Sequence, residues 1–172
     1  VSPHVWLLEG LSAAGSRENR NYISNAGLII GPSGVVLVDA LGSPALAREL
    51  LALIKTLSDK PLTHVLLTHY HADHVYGLQV LKAAGAQIIA HQAAREYLQS
   101  DTAAQRLRAS IEQGLVEPGT TLVAADRWLT GETTLQAAGL TLQLIPVGPA
   151  HTPEDLAVWL ASDRLLFAGD LV

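Results

Sequence analysis

Cysteine is absent from the sequence, which excludes disulfides, thiolate nucleophiles and cysteine-ligated metal sites. Any bound metal ion must therefore be held by imidazole and carboxylate groups. Methionine is absent as well, even at position 1, and the first residues do not form a charged and then apolar leader. The sequence therefore leaves the compartment open.

Charged residues are scarce, at 16% of the chain, and they leave a formal net charge of −5 without any run of lysine or arginine. Because a nucleic-acid-binding surface needs a basic footprint, nucleic acid is not expected as a partner. The longest apolar runs, around residues 35–38 and 65–67, are far shorter than the roughly 20 residues of a membrane-spanning helix. The sequence predicts a soluble protein without a membrane partner that acts on a small molecule.

The 172 residues are about the length of one domain, and the order of their elements predicts a mixed α/β fold. Two β-branched runs separated by the turn residues 31–34 predict an antiparallel hairpin, and the leucines that recur after Ser43 predict an amphipathic helix. Strands and helices then alternate before further strands follow, which indicates a mixed sheet with helices packed on it. The predicted strands are 22–30, 35–38, 63–67, 87–90, 140–147, 156–160 and 165–168, and the later predicted helices lie in 74–84 and 92–113, the last segment forming one or two helices.

A cluster of imidazoles stands between a predicted strand and a predicted helix, in the segment His69-Tyr70-His71-Ala72-Asp73-His74. In open α/β sheets this is where ligands bind, at the carboxyl ends of strands. Residues i and i+2 of an extended segment point the same way, so His69 and His71 can clasp one ion. Asp73 and His74 begin the helix and point elsewhere, which indicates a second ion. Ligands without sulfur suit zinc, and iron and manganese are also compatible.

These residues match the signature of the metallo-β-lactamase superfamily, and three later or earlier segments resemble the same family in the correct order. The three segments are Val38-Asp39, Gly148-Pro149-Ala150-His151-Thr152-Pro153 and Phe167-Ala168-Gly169-Asp170. The resemblance implies an αββα sandwich with a binuclear metal site. In that site His69, His71 and His151 would hold the first zinc ion, Asp73 and His74 the second, and Asp170 both. Asp39 would support the ligands without touching a metal.

The chain also departs from that family. The family supplies one more histidine to the second metal from beyond the bridging aspartate, whereas this sequence ends at Val172. The resemblance therefore implies a domain over residues 1–172 that lacks its C-terminal segment, with an incomplete second half and little or no activity in this form. The edge of strand 165–168 would lack partners, so self-association through that edge is also expected.

The resemblance implies hydrolysis by a hydroxide that zinc makes available, because zinc lowers the pKa of a bound water to about 7. Asp73 would position the hydroxide and pass a proton to the leaving group. Zinc β-lactamases commonly have Cys or Ser at the position of Asp170, whereas glyoxalase-II-like thioesterases and lactonases have Asp. An ester, thioester or lactone is therefore preferred as substrate. With two zinc ions the site would carry about +1, which favours an anionic substrate.

Three alternatives stay open on the sequence. The first is hydrolysis of a β-lactam, and the second is a sulfur dioxygenase-like reaction on a single iron. The third is an inactive fragment that binds metal without turnover. The remaining histidines, His4, His64 and His91, have no partner pattern and are interpreted as structural or exposed.

Overall fold

A computed structural model describes residues 2–172 and shows two β-sheets packed face to face, with helices against the outer face of the larger sheet. The larger sheet has six strands in the order β1 (Val5–Leu8), β2 (Ala26–Ile30), β3 (Val35–Val38), β4 (Leu62–Leu66), β5 (Gln87–His91) and β6 (Arg127–Leu129). The smaller sheet has the order β10 (Leu165–Phe167), β9 (Leu156–Leu160), β8 (Leu140–Pro146) and β7 (Thr133–Ala137). The helices are α1 (Pro44–Leu57), α2 (Ala72–Val75), α3 (Leu78–Ala83), α4 (Ala94–Leu98) and α5 (Asp101–Glu112), and a short 3₁₀ turn covers Gly169–Leu171.

The direction of the strands decides where the chain can build a site. Strands β1 to β3 pair antiparallel, whereas β3 to β6 pair parallel. Parallel neighbours need a crossover, and each crossover here contains helices: α1 after β3, α2 and α3 after β4, and α4 and α5 after β5. The carboxyl ends of β3 and β4 therefore meet at one edge of the larger sheet.

Two hydrophobic layers hold the strands and helices together. Successive side chains of a strand point to opposite faces, so neighbouring residues contribute to different layers. Leu28 and Leu37 lie in the layer beneath the helices, whereas Ile29 and Val36 lie in the layer between the two sheets. All four are fully buried, and each such side chain contributes about 1.5–3 kcal/mol to folding.

Helix α1 begins as the sequence predicts. Ser43 accepts a hydrogen bond from the Leu46 backbone N–H at 3.3 Å, and Pro44 occupies the first helical position, where its missing N–H has no partner to lose. Leu50 and Ile54 are buried against the sheet. The expected amphipathic helix is confirmed.

Some predicted boundaries are wrong. Strand β2 begins at Ala26 rather than at residue 22, and the helix predicted over 74–84 is two helices that meet at Gly77. Strands β1, β6 and β7 were not predicted: β1 and β6 have only four and three residues, and β7 carries polar residues at three of its five positions. Within residues 2–172 no helix covers the outer face of the smaller sheet, so the described layers are helix, sheet and sheet.

The edge strands β1 and β10 carry exposed leucines. Leu7 is 51% exposed and Leu166 is 55% exposed, and both line the same cavity. The self-association expected through the edge of β10 stays a prediction. None of the helices described between residues 2 and 172 combines the length and the apolar character that a bilayer crossing requires.

Gly77 lies where the junction of α2 and α3 approaches the segment after β3. A Cβ atom at this position would lie 1.9 Å from the Ala40 carbonyl oxygen and 2.9 Å from the Ala47 Cβ. We therefore expect Gly77→Ala to lower the free energy of unfolding by about 1–3 kcal/mol, the usual cost of overpacking. Urea denaturation measures this change. Gly131→Ala is the control, since its Cβ would meet nothing within 4 Å, and equal effects of both substitutions would contradict the prediction.

Candidate metal centre

The predicted ligands meet at the edge where β3 and β4 end. The segment after β4 carries three of the histidines and continues into α2, the connection between β8 and β9 carries a fourth, and the turn after β10 adds a carboxylate. The smaller sheet thus brings the β8–β9 connection and the turn after β10 to the carboxyl ends of β3 and β4. The residues brought together are all six that the sequence predicts: His69, His71, Asp73, His74, His151 and Asp170.

Three imidazoles form the first group. The Nδ1 atom of His71 lies 3.1 Å from Nε2 of His69 and 3.0 Å from Nε2 of His151. Oδ2 of Asp170 is 3.8 Å from Nε2 of His69 and 3.7 Å from Nε2 of His151. The three rings meet at interplanar angles of 81° to 87°, so their nitrogen atoms converge instead of stacking. Converging nitrogen lone pairs fit a cation.

A second group shares Asp170. Nε2 of His74 lies 3.2 Å from Oδ1 of Asp170 and 3.5 Å from Oδ2 of Asp73. His74 is buried, and its Nε2 makes no well-formed hydrogen bond with the residues from 2 to 172. A buried nitrogen without such a partner, faced by two carboxylates, also fits a cation. The two oxygens of Asp170 face different groups, which is the arrangement of a bridging ligand.

The charge states suit metal binding in the first group. Burial, with the nearby His74 ring, lowers the pKa of His69 to about 4, and burial together with His151 lowers the pKa of His71. Both rings are therefore neutral near pH 7 and can offer a lone pair. The contact with His74 lowers the pKa of Asp170 to about 2, so this carboxylate is ionised.

The second group is strongly coupled. Burial opposes protonation of His74, but the carboxylates of Asp39, Asp170 and Asp73 outweigh it and raise the pKa of His74 to about 12. Burial likewise opposes ionisation of Asp73, and the adjacent His74 outweighs it, so that the pKa of Asp73 is lowered. A metal ion in this group would take the place of the His74 proton.

Asp39 supports the histidines from behind. It is buried, and its Oδ2 accepts hydrogen bonds from His74 Nδ1 and from the Thr68 hydroxyl, both at 2.8 Å. The Thr68 hydroxyl oxygen lies 3.0 Å from Nδ1 of His69 and can accept a hydrogen bond from it. These bonds assign the ring protons to Nδ1 and leave Nε2 of His69 and His74 facing the site. Asp39 adopts a left-handed backbone conformation with φ of 67°, which Asp tolerates better than most residues.

Several residues around the site were not found from the sequence. Ser24 donates to the Asp73 carbonyl oxygen at 2.5 Å, and Glu154 and Asp155 are buried carboxylates beside the His151 segment. The available signal was two adjacent acidic residues between a ligand histidine and an apolar strand. His4, His64 and His91 lie outside both groups.

A cavity of about 270 Å³ opens beside the second group. Its polar wall includes Asn25, His74 and Asp170, and its apolar wall includes Phe167 and Leu166.

Comparisons with known proteins agree with this geometry. A family model described as the metallo-β-lactamase superfamily matches residues 19–172. The metallo-β-lactamase type 2 of Bacillus cereus is 30% identical over 151 residues, which cover 87% of this chain and 52% of that protein. A hydroxyacylglutathione hydrolase of Rhodospirillum rubrum is 33% identical over 134 residues, or 76% of this chain and 41% of that protein. Among solved structures, a metallo-β-lactamase from Pontibacter korlensis has a TM-score of 0.72 at 21% identity, covering 98% of this chain and 68% of that one. The chain thus spans about half the length of the curated relatives it matches.

Proposed function

This chain belongs to the metallo-β-lactamase superfamily, and from that membership we propose that it is a zinc-dependent hydrolase of an ester, thioester or lactone. The observation that carries the proposal is a pair of ligand groups that share one carboxylate, Asp170. When bound, zinc lowers the pKa of water to about 7 and polarises a carbonyl group, which is the chemistry that such hydrolysis needs.

Each residue of the candidate site has its own proposed role. His69, His71 and His151 would hold the first ion through their ring nitrogens, and Asp170 faces both groups. The ionised carboxylate of Asp73 lies next to His74 at 3.5 Å and would accept a hydrogen bond from the attacking water. It would take a proton from that water as the water attacks, and would then pass this proton to the leaving group.

The substrate class is proposed from the residue at position 170. Zinc β-lactamases commonly have Cys or Ser there, and this chain has Asp. The similarity to a hydroxyacylglutathione hydrolase supports an acyl substrate of the thioester kind. The similarity to the Bacillus cereus metallo-β-lactamase supports hydrolysis of a β-lactam as the second candidate.

A panel of substrates tests the proposal. The full-length natural protein, loaded with zinc, is assayed on a thioester, a lactone, a carboxylic ester and a β-lactam. We expect turnover of at least one of the first three, loss of turnover on chelation and its return with added zinc. A zinc-loaded protein that turns over only the β-lactam would favour the second candidate, and one that hydrolyses nothing in the panel would contradict both.

A further inference from the structure

Glu154 is a buried carboxylate that joins the two segments bearing the three imidazoles of the first group. Only 2% of its surface is exposed, and its Oε1 accepts a hydrogen bond from the Tyr70 backbone N–H at 3.0 Å. Tyr70 stands between His69 and His71 in the chain, and Glu154 follows His151 by three positions. One side chain thus connects segments that are 84 residues apart in sequence.

The neighbouring hydrogen bonds hold other parts of this region than the Glu154 bond does. Asp155 closes the turn after His151, because its carboxylate accepts from the Thr152 N–H at 2.6 Å and from the Thr152 hydroxyl at 2.9 Å. The Leu156 N–H donates to the Thr68 carbonyl at 2.9 Å, just before the histidines begin. The Glu154 bond therefore joins the His69–His71 segment to the His151 segment next to the candidate ligands.

This contact is kept at a cost to stability. Oε2 of Glu154 is buried and makes no well-formed hydrogen bond with the residues described between 2 and 172. Burial also raises the pKa of Glu154 above its usual range. An apolar side chain of similar size would avoid this desolvation cost. The carboxyl group is thus better explained by what it positions than by the stability it contributes.

We propose that Glu154 is a positioning residue that sets the separation of His71 and His151 and thereby the metal affinity of the first group. The proposal rests on the proposed function only in that the three histidines bind a metal. Without the bond from Tyr70, the peptide between His69 and His71 loses its fixed orientation. The nitrogen atoms that now lie 3.0 Å apart in His71 and His151 would then converge less closely.

Three substitutions separate the effect of the Glu154 side-chain length from the effect of its negative charge. Glu154→Gln keeps an oxygen that can reach Tyr70 but removes the charge, Glu154→Asp keeps the charge on a side chain one methylene shorter, and Glu154→Ala removes both. We expect Glu154→Gln to bind zinc and cobalt(II) as the unchanged protein does. We expect Glu154→Asp and Glu154→Ala to bind them about 10- to 100-fold more weakly, as for other residues that orient metal ligands. The absorption bands of bound cobalt(II) should also change in these two variants, since they report ligand geometry.

Asp126→Ala is the matched control. The Asp126 carboxylate accepts from the Ile88 backbone N–H at 2.9 Å, but at the amino end of β5, on the opposite edge of the sheet from the site. Its loss should lower stability and leave metal affinity and the cobalt spectrum unchanged.

The outcomes are distinguishable. If folded Glu154→Asp and Glu154→Ala bind metal with unchanged affinity and spectrum, the positioning role is wrong and the proposed function stands. If Glu154→Gln binds metal more weakly than Glu154→Asp, the negative charge at position 154 matters more than the length of the side chain, which also overturns the inference. Should Glu154→Ala fail to fold, the comparison of Gln with Asp still decides. If the unchanged protein binds neither metal, the proposed function and this inference fail together.

Discussion

In the full-length protein, Asp73→Asn is expected to remove most of the hydrolytic turnover, by a factor on the order of 10² to 10⁴, the usual contribution of a group that transfers protons in the transition state. Asn has nearly the same shape as Asp but carries no negative charge and cannot accept the proton. The Asp73 carboxylate is ionised and lies 3.5 Å from Nε2 of His74, so the change also weakens the second ligand group. The fold should stay intact, because the bond from Ser24 reaches the Asp73 backbone carbonyl and not its side chain.

Steady-state kinetics on the substrate found in the panel, with a denaturation curve for each variant, measures this effect. Asp126→Asn is the control, since it changes a partly exposed carboxylate that accepts from Ile88 and pairs with Lys82 away from the site. If Asp73→Asn turns over substrate at the rate of the unchanged protein, the proposed role of Asp73 is wrong.

The 172-residue chain is expected to hold about one tightly bound zinc ion, at the three-histidine group. Three imidazole nitrogens converge there, and three histidines are the protein ligands of one class of catalytic zinc site. The second group offers His74 and Asp73 and must share Asp170 with the first, so it should hold its ion weakly. His71→Ala removes the nitrogen atom that contacts both other imidazoles, and it should reduce the bound zinc to a small fraction of one per chain.

Elemental analysis of protein purified without added metal gives both quantities. His64→Ala serves as the control, because His64 is half-buried in β4, bonds to Thr63 and belongs to neither group. Two equally tight zinc ions would refute the expected difference between the groups. Stoichiometric iron in place of zinc would favour the dioxygenase-like alternative.

The sequence allowed the candidate ligands to be predicted, because the imidazole cluster and the later motifs follow predicted strands in the order that the family has. His69 and His71 follow the buried strand β4, and Asp170 follows β10 in a glycine-containing turn. Single ligands such as His151 were ambiguous, and only the order of several motifs identified them. The strands found in advance are those with runs of large apolar residues, such as β3 and β9.

What the sequence could not show depends on contacts between distant segments. At the break between α2 and α3, the His74 carbonyl accepts from the Ala40 N–H and the Gly77 N–H donates to the Leu41 carbonyl, contacts that no local pattern reveals. The bond from Tyr70 to Glu154 likewise exists only once the two sheets have packed. Strand β7, with alternating polar residues, becomes recognisable only through its pairing with β8.

The candidate metal centre lies between the two sheets and takes ligands from both. Three histidines reach it from the larger sheet, whereas His151 and Asp170 reach it from the smaller one. A cation held by both sets would bind the assembled sandwich and not the separated sheets, so its binding free energy adds to the stability of the sandwich. At a free metal concentration 100 times the dissociation constant this gain is about 2.7 kcal/mol. The melting temperature of the protein would then rise and fall with the concentration of free metal. Lack of metal alone, without substitution of any ligand residue, would weaken the packing of the two sheets.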